Sequence, residues 1–286
     1  MEHQRTAFIT GATSGIGLAA AIEFAKKDFK VFAVGRNAQR CERAHQSILE
    51  HAPLSNVEFL LCDLSRKAEM TSLCGTILQK TRILDVVIHA AGLITNQYAT
   101  TDDGIEVQFA VNHLAPFLLT QGLISALALS TDARVILITS LARHYAHLNL
   151  KDLQMSQRYS GLTQYGRTKL CNVLYATEFN HRYQNTNIRA FAMDSGIVKT
   201  DIGIQQMSGI LKTACRFVIN RGSDVGKTAE QIHDLVNSKQ VLKTYATYYN
   251  GCKPKRPHPS PTHRSTASAL WEASEVLIFN ANRASQ

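Results

Sequence analysis

Thr10-Gly11-Ala12-Thr13-Ser14-Gly15-Ile16-Gly17 follows the apolar run Ala7-Phe8-Ile9 and leads into a stretch with helical spacing. Glycines at 11, 15 and 17 let the backbone turn tightly and approach a pyrophosphate. The start of the helix adds N–H groups and a partial positive charge. In this place the turn predicts a dinucleotide site built from Gly11, Thr13, Ser14, Gly15, Ile16 and Gly17. The plainer reading is a structural turn, and the sequence beyond it decides between the two.

Short apolar runs at 6–10, 30–34, 57–62, 85–89, 134–139, 188–193 and 245–249 alternate with helical stretches at 17–27, 39–51, 67–79, 104–129 and 163–182. Several runs are continuously apolar, as parallel strands covered on both faces are. Repeated strand–helix–strand units predict right-handed crossovers and a doubly wound α/β Rossmann fold. The expected sheet has seven mostly parallel strands with helices on both faces, in one domain over residues 1–286. The irregular stretch 195–222 stands apart from that pattern, and the Pro-rich stretch around Lys253-Pro254-Lys255-Arg256 reads as a solvated loop.

Composition narrows the function classes. With 45% hydrophobic and 19% charged residues the chain is ordinary for a globular protein. Its net charge of +9 suits an anionic cofactor, a membrane surface or nucleic acid. The basic residues are scattered, with no aromatic-plus-basic stripe, so no nucleic-acid partner is expected. Six cysteines without a C-x-x-C pair point to reduced thiols, no metal site and a cytoplasmic setting. His144 and His147 share a possible helix face, but no further ligand follows at metal spacing. No signal peptide is visible, and no apolar run reaches the roughly 18 residues of a membrane span.

The second run ends Val34-Gly35-Arg36-Asn37, where an NAD site would carry an acid for the ribose hydroxyls. Arg36 instead suits a 2′-phosphate, so NADP(H) is the expected cofactor. Asp63, followed by Leu64, closes the third run and suits either an adenine amino group or the cap of the next helix.

Tyr165 and Lys169 stand at i and i+4, on one helix face. A neighbouring ammonium favours phenolate over phenol and would bring the Tyr pKa from about 10 towards neutrality. Such a tyrosine is a general acid/base at physiological pH.

These residues resemble the short-chain dehydrogenase/reductase family. The matching motifs are Thr10–Gly17, Asp63-Leu64, Ala90-Ala91-Gly92, Asn112, Ser140 and Tyr165-x-x-x-Lys169. Val111-Asn112-His113-Leu114, Arg158-Tyr159-Ser160 and Ala269-Leu270-Trp271-Glu272 are similar to the branch that holds retinol dehydrogenases and the dehydrogenase part of the WW-domain oxidoreductase. The resemblance implies an oxidoreductase in which Tyr165 exchanges a proton with the substrate oxygen and Lys169 bonds the nicotinamide ribose. It implies that Ser140 steadies the carbonyl and that Asn112 holds a water next to Lys169. Ala91, Gly92, Ile197 and Thr200 would lie against the cofactor, and 195–222 would be the substrate lid.

Two positions depart from the family pattern: Ala90 lacks an amide, and Ser195 replaces a proline before Gly196. Apolar residues at Ile204, Met207, Ile210, Leu211, Ala214, Phe217 and Val218 suit a lipophilic aldehyde, ketone or alcohol. Lys212, Arg216 and Arg221 would also allow peripheral membrane contact. An NADP-binding protein without catalysis remains the alternative, favoured by the altered turn alone. The 24 residues between Ser140 and Tyr165 carry Tyr145, Leu148, Leu150, Leu153 and Met155. They are expected to fold over the helices through which the family pairs, leaving a monomer or a differently built dimer.

Overall fold

Each of the seven apolar runs contributes to one sheet in the computed structural model, which describes residues 3–196, 224–241, 246–255 and 264–279. The strands are β1 (Thr6–Thr10), β2 (Lys30–Gly35), β3 (Val57–Leu61), β4 (Val86–His89), β5 (Ala133–Thr139), β6 (Ile188–Asp194), β7 (Tyr248–Asn250) and β8 (Lys253–Pro254). Their order is β3-β2-β1-β4-β5-β6-β7-β8, parallel throughout except for β7 with β8. Order reverses between β1 and β4, and there the loops leaving both strands part to either side. Such a switch point is where doubly wound sheets take their ligands.

The sheet has eight strands among the described residues, not seven. The extra one is the two-residue Lys253–Pro254, which pairs back on β7 across Gly251 at φ +55°. Two exposed residues cannot show a hydrophobic alternation, so the sequence pattern reads them as loop. Proline on an outer strand also blunts that edge against further pairing.

Two apolar layers sandwich the sheet. One face buries Ala7, Ile9, Val31, Ala33, Val86 and Ile88 against helix α1 (Gly15–Lys26) and the helix Val225–Asn237. The latter helix is absent from the sequence reading. The other face packs α3 (Lys67–Lys80), α5 (Ala115–Gly122), α7 (Gly161–Arg182) and the closing helix Arg264–Phe279. Trp271 of the closing helix stacks on Tyr175 at 5.4 Å and meets Phe117 edge-on at 4.8 Å. The chain thereby covers the joint face of α5 and α7 with its own helix. Among the described residues no helix is long and apolar enough to cross a membrane.

The stretch expected as one helix over 104–129 is broken. A short α4 (Val107–Phe109) runs into a π-turn at Ala110–Leu114, then α5, then α6 (Ile124–Ala128). A π-turn widens the helix at one point, frequently where a side chain has a function. Here it carries Asn112 and His113, both buried.

His113 joins three elements: Nδ1 lies 3.4 Å from Asn172 Oδ1, and Nε2 lies 3.0 Å from Ser274 Oγ. His89, at the end of β4, sits 2.8 Å from Thr120 Oγ1. Burial pushes His89 down to about 3, and burial outweighs the Asn172 bond to push His113 down to about 4. Both rings are therefore neutral in the folded chain where the unfolded chain takes up protons. Their contribution is complete above the unfolded value near 6.5 and is lost as pH falls through the window down to about 4 and about 3. Each histidine should add a slope of about 1.4 kcal/mol per pH unit to unfolding free energy in that window. Denaturant titrations should show His113→Gln losing about one such share of the slope. An unchanged slope would contradict a buried neutral His113.

Candidate active site

The glycine turn is held by contacts that leave no room for side chains. A Cβ on Gly17 would stand 2.3 Å from the Gly11 carbonyl oxygen, and one on Gly11 would stand 2.7 Å from Ala91 Cα. Gly11 and Gly15 have φ of +70° and +56°, the region that favours glycine. Ser14 precedes α1 in an extended conformation, and its side chain caps none of the first-turn N–H groups. Ala12 N donates to Val34 O at 3.1 Å, tying the turn to β2. Ala91 N donates to Thr10 Oγ1 at 3.3 Å. That bond joins the ends of β1 and β4 without the amide side chain missing at Ala90.

At the end of β2, Arg36 is exposed and lies 3.9 Å from Asp63 Oδ2. Asn37 caps α2 (Ala38–His51), its Oδ1 accepting from Arg40 N at 3.0 Å. Arg40 reaches back so that Nη2 donates to Ser14 Oγ at 3.3 Å. Sequence reasoning missed Arg40. Its position one helical turn past Arg36 was the available signal. Asp63 does not cap α3, as one expectation had it. Its Oδ1 accepts from Ser65 N at 2.9 Å and Ser65 Oγ at 2.7 Å, closing a two-residue turn before the helix starts. Against the upward pull of burial, these bonds with Arg36 and Arg66 hold the Asp63 carboxyl below its usual range. Leu64 is buried beside it.

Across the switch point, β5 delivers Ser140 and α7 delivers Tyr165 and Lys169. Thr139 Oγ1 donates to Lys169 O at 2.9 Å and pins the helix to the strand end. Ser140 begins a 3-10 turn (Leu141–Tyr145), its Oγ accepting from Ala142 N at 3.3 Å, and it hydrogen-bonds Tyr165. Gly166 lets that turn lie on the helix, since a Cβ there would meet Ala142 O at 2.8 Å.

Lys169 is buried, its Nζ donating to Ile138 O at 3.0 Å and standing 5.4 Å from the Tyr165 ring centroid. Asn112 and Lys169 flank Gly92, whose Cβ would meet Lys169 Nζ at 3.3 Å and Asn112 Oδ1 at 3.5 Å. The Asn112 amide is engaged on three sides. Oδ1 accepts from Leu93 N at 2.8 Å, while Nδ2 donates to Leu93 O at 2.9 Å and Thr168 Oγ1 at 3.1 Å. Its visible work is to clamp the loop after β4 against α7.

The electrostatics correct one expectation. Tyr165 is not brought towards neutrality by Lys169. Burial pushes it up to about 12, the Ser140 bond opposes that, and the Asp194 carboxylate adds to it. Burial also pushes Lys169 down to about 8. Buried Lys169 and half-buried Tyr165 each favour the neutral form as water is withdrawn, and the ammonium is turned to a backbone carbonyl. At neutral pH, then, Tyr165 holds its proton.

A second network fixes the segment between Ser140 and α7. Buried Glu106 accepts from Gln108 N, Phe109 N, Tyr159 OH at 2.8 Å and Gln164 Nε2 at 2.9 Å. Gln154 Oε1 accepts from Glu106 N at 2.8 Å, and Leu153 is buried against the core. The segment thus lies on α7, although Leu150 stays exposed. Gly196 N donates to Asp194 Oδ1 at 2.8 Å, so the turn lacking its proline is closed by a side chain. Ile197, Thr200 and the remainder of the expected lid lie outside the described residues.

Residues 5–211 match the short chain dehydrogenase family. Human retinol dehydrogenase 14 is 31% identical over 97% of this chain and 87% of its own length. Mouse retinol dehydrogenase 12 is 30% identical over 94% and 85%. The chain belongs to the short-chain dehydrogenase/reductase family, in its retinol-dehydrogenase-like branch. An uncharacterized protein from Mycobacterium paratuberculosis shares the architecture with a TM-score of 0.75 at 28% identity, covering 96% of this chain and 93% of that one. A short chain dehydrogenase from Shigella flexneri complexed with NADP gives 0.67 at 19% identity over 86% and 96%, a likeness of fold. Members are oxidoreductases that work with NAD(P).

Proposed function

We propose that this chain is an NADP(H)-dependent oxidoreductase acting between a lipophilic aldehyde or ketone and its alcohol, with Tyr165 as proton donor or acceptor. The observation that carries the reading is the convergence of Ser140, Tyr165 and Lys169 beside Gly92, on the sheet edge where the glycine turn opens α1. The turn itself fits a dinucleotide: its glycines admit backbone contacts closer than any Cβ would allow. Gly11–Gly17 would hold the pyrophosphate, Asp63 and Leu64 the adenine, Ala91 and Gly92 the central ribose face, and Lys169 the nicotinamide ribose. Bound there, the cofactor supplies or takes the hydride.

This chain's residues do the proton work. In the reducing direction Tyr165 gives its proton to the substrate oxygen, and Ser140 donates a hydrogen bond to the same oxygen as charge develops. In the oxidising direction the tyrosine takes that proton back. The lipophilic substrate class rests on the apolar residues of 204–218 and on relatives named for retinol, a long apolar alcohol. The same reading takes residues 1–286 as one domain with 195–222 as its lid. The preference for NADP rests on the cationic end of β2, where Arg36 is exposed and Arg40 lies against Ser14.

Two substitutions test this. Tyr165→Phe keeps the ring and removes the proton, so turnover should fall by about 10²–10⁴-fold. NADPH binding, followed by fluorescence titration, should persist. Near-normal turnover would sink the acid/base role. Arg36→Asp should weaken NADPH and improve NADH relative to it, read as the ratio of kcat/KM values. A wild type that uses NADH as well as NADPH would contradict the reading of Arg36.

A further inference from the structure

The carboxyl group of Glu106 sits at the centre of the network beside the start of α7, and the proposed chemistry makes no use of it. The residue is 0% exposed, and both of its carboxyl oxygens are filled. Oε1 accepts from Gln108 N at 2.9 Å and Tyr159 OH at 2.8 Å. Oε2 accepts from Phe109 N at 2.8 Å and Gln164 Nε2 at 2.9 Å. Four donors converge on one group, so only a side chain that accepts at both oxygens satisfies them all. Gln108 extends the network: its Nε2 donates to Tyr159 OH at 2.6 Å and to Gly161 O at 3.1 Å. Gln164 Nε2 also donates to Leu153 O at 3.1 Å. At Gly161 the loop after β4 lies so close that a Cβ would collide with Thr95 O.

We propose that Glu106 is a positioning residue for Tyr165, placing the phenol by fixing the first turn of α7 against the loop after β4. The inference rests on the reading of Tyr165 as the acid/base. A helix start lacks intrahelical partners of its own, and Ser160 supplies no side-chain cap here. The first turn of α7 therefore takes its place from outside contacts. Gln164, the residue before Tyr165, is held directly by a carboxyl group 58 positions upstream. Tyr159 is held by the same group, and Gly161 through Gln108. Glu106 touches neither substrate nor cofactor in this arrangement and acts on the reaction through Gln164 and Tyr159. Proton transfer is sensitive to such support, since a displacement of about 1 Å far from the chemistry costs about 10²-fold in rate.

Glu106→Gln keeps the size of the side chain but sets an NH2 among donors. Gln164→Met keeps the length and leaves the bonds to Gln108 N and Phe109 N intact, so it breaks the link to α7 alone. In the full-length enzyme, kcat for carbonyl reduction should fall about 10–10²-fold in Glu106→Gln and by a smaller factor in Gln164→Met. The Kd for NADPH, read by fluorescence titration, should not change, and the same titration counts folded sites so that rates are compared per site. Added to Tyr165→Phe, either substitution should cost almost nothing further, because the proton work it supports is already gone. A purely structural role would lower the number of binding sites, or cost the same factor in both backgrounds, and either result would overturn the proposal. So would an unchanged kcat. If Glu106→Gln does not fold, Gln164→Met carries the same cycle.

Fluorine NMR gives a reading without turnover. The protein is labelled with 3-fluorotyrosine, and the Tyr165 resonance is assigned among nine tyrosines by its loss in Tyr165→Phe. That resonance should shift or broaden in Glu106→Gln and in Gln164→Met. Folded variants in which it stays in place would overturn the proposal while leaving the acid/base reading intact. A wild type that turns over no carbonyl or alcohol would instead overturn the function, and the fluorine spectra would still decide whether Glu106 holds Tyr165 in place.

Discussion

The approach of Gly17 to the Gly11 carbonyl, too close for any Cβ, sets the geometry of the whole carboxyl edge. It brings the first turn of α1 down on the end of β1, while Gly11 in turn rests against Ala91 at the end of β4. Two strand ends and one helix start are thereby fixed relative to one another, with the Thr10–Ala91 bond as a cross-tie. The loop after β4 then has only one course, past Gly92 and into the grip of Asn112. Because Asn112 also holds Thr168, the position of α7 follows from the same chain of contacts. Tyr165 and Lys169 are placed by backbone packing that begins at a glycine more than 140 residues earlier.

Buried polar groups do the rest of the positioning, through backbone and side-chain partners alike. Glu106 serves the N-terminus of a short helix and holds Tyr159 and Gln164 at the start of α7. Each bond of this kind is worth about 0.5–1.5 kcal/mol net, but leaving one partner unpaired in the core costs more. Networks of this sort favour one arrangement over near alternatives. The result is an edge where Tyr165, pushed up to about 12, and Lys169, pushed down to about 8, lie side by side, the Lys169 Nζ 5.4 Å from the Tyr165 ring centroid.

The strand positions, the glycine turn and the tyrosine–lysine pair were legible because they depend on local pattern: apolar runs, glycine spacing and helix periodicity. The break in 104–129 was not. Apolar spacing continues through it, and the Asn112 amide inside the π-turn has its partners on distant Leu93 and Thr168, which local spacing does not show. Strand β8 was invisible for want of length, and the helix Val225–Asn237 follows a stretch that set no clear frame for it. Arg40 escaped notice since its contact with Ser14 depends on where α2 begins, which Asn37 decides. The direction of the Tyr165 shift was misread for a related reason: spacing shows that Lys169 is near, whereas only the fold shows that Lys169 is buried and Tyr165 drawn partly out of water.

The central claim is that hydride passes between nicotinamide and a carbonyl carbon on this edge while Tyr165 handles the proton. NADPH carrying deuterium at the transferring nicotinamide carbon, incubated with the protein and a lipophilic aldehyde, tests it by mass spectrometry of the product. The account predicts one deuterium on the carbinol carbon, with labelled alcohol formed about 10²–10⁴-fold more slowly when Tyr165→Phe replaces the wild type. Alcohol formed without label, or labelled alcohol formed as fast by the variant, would contradict it.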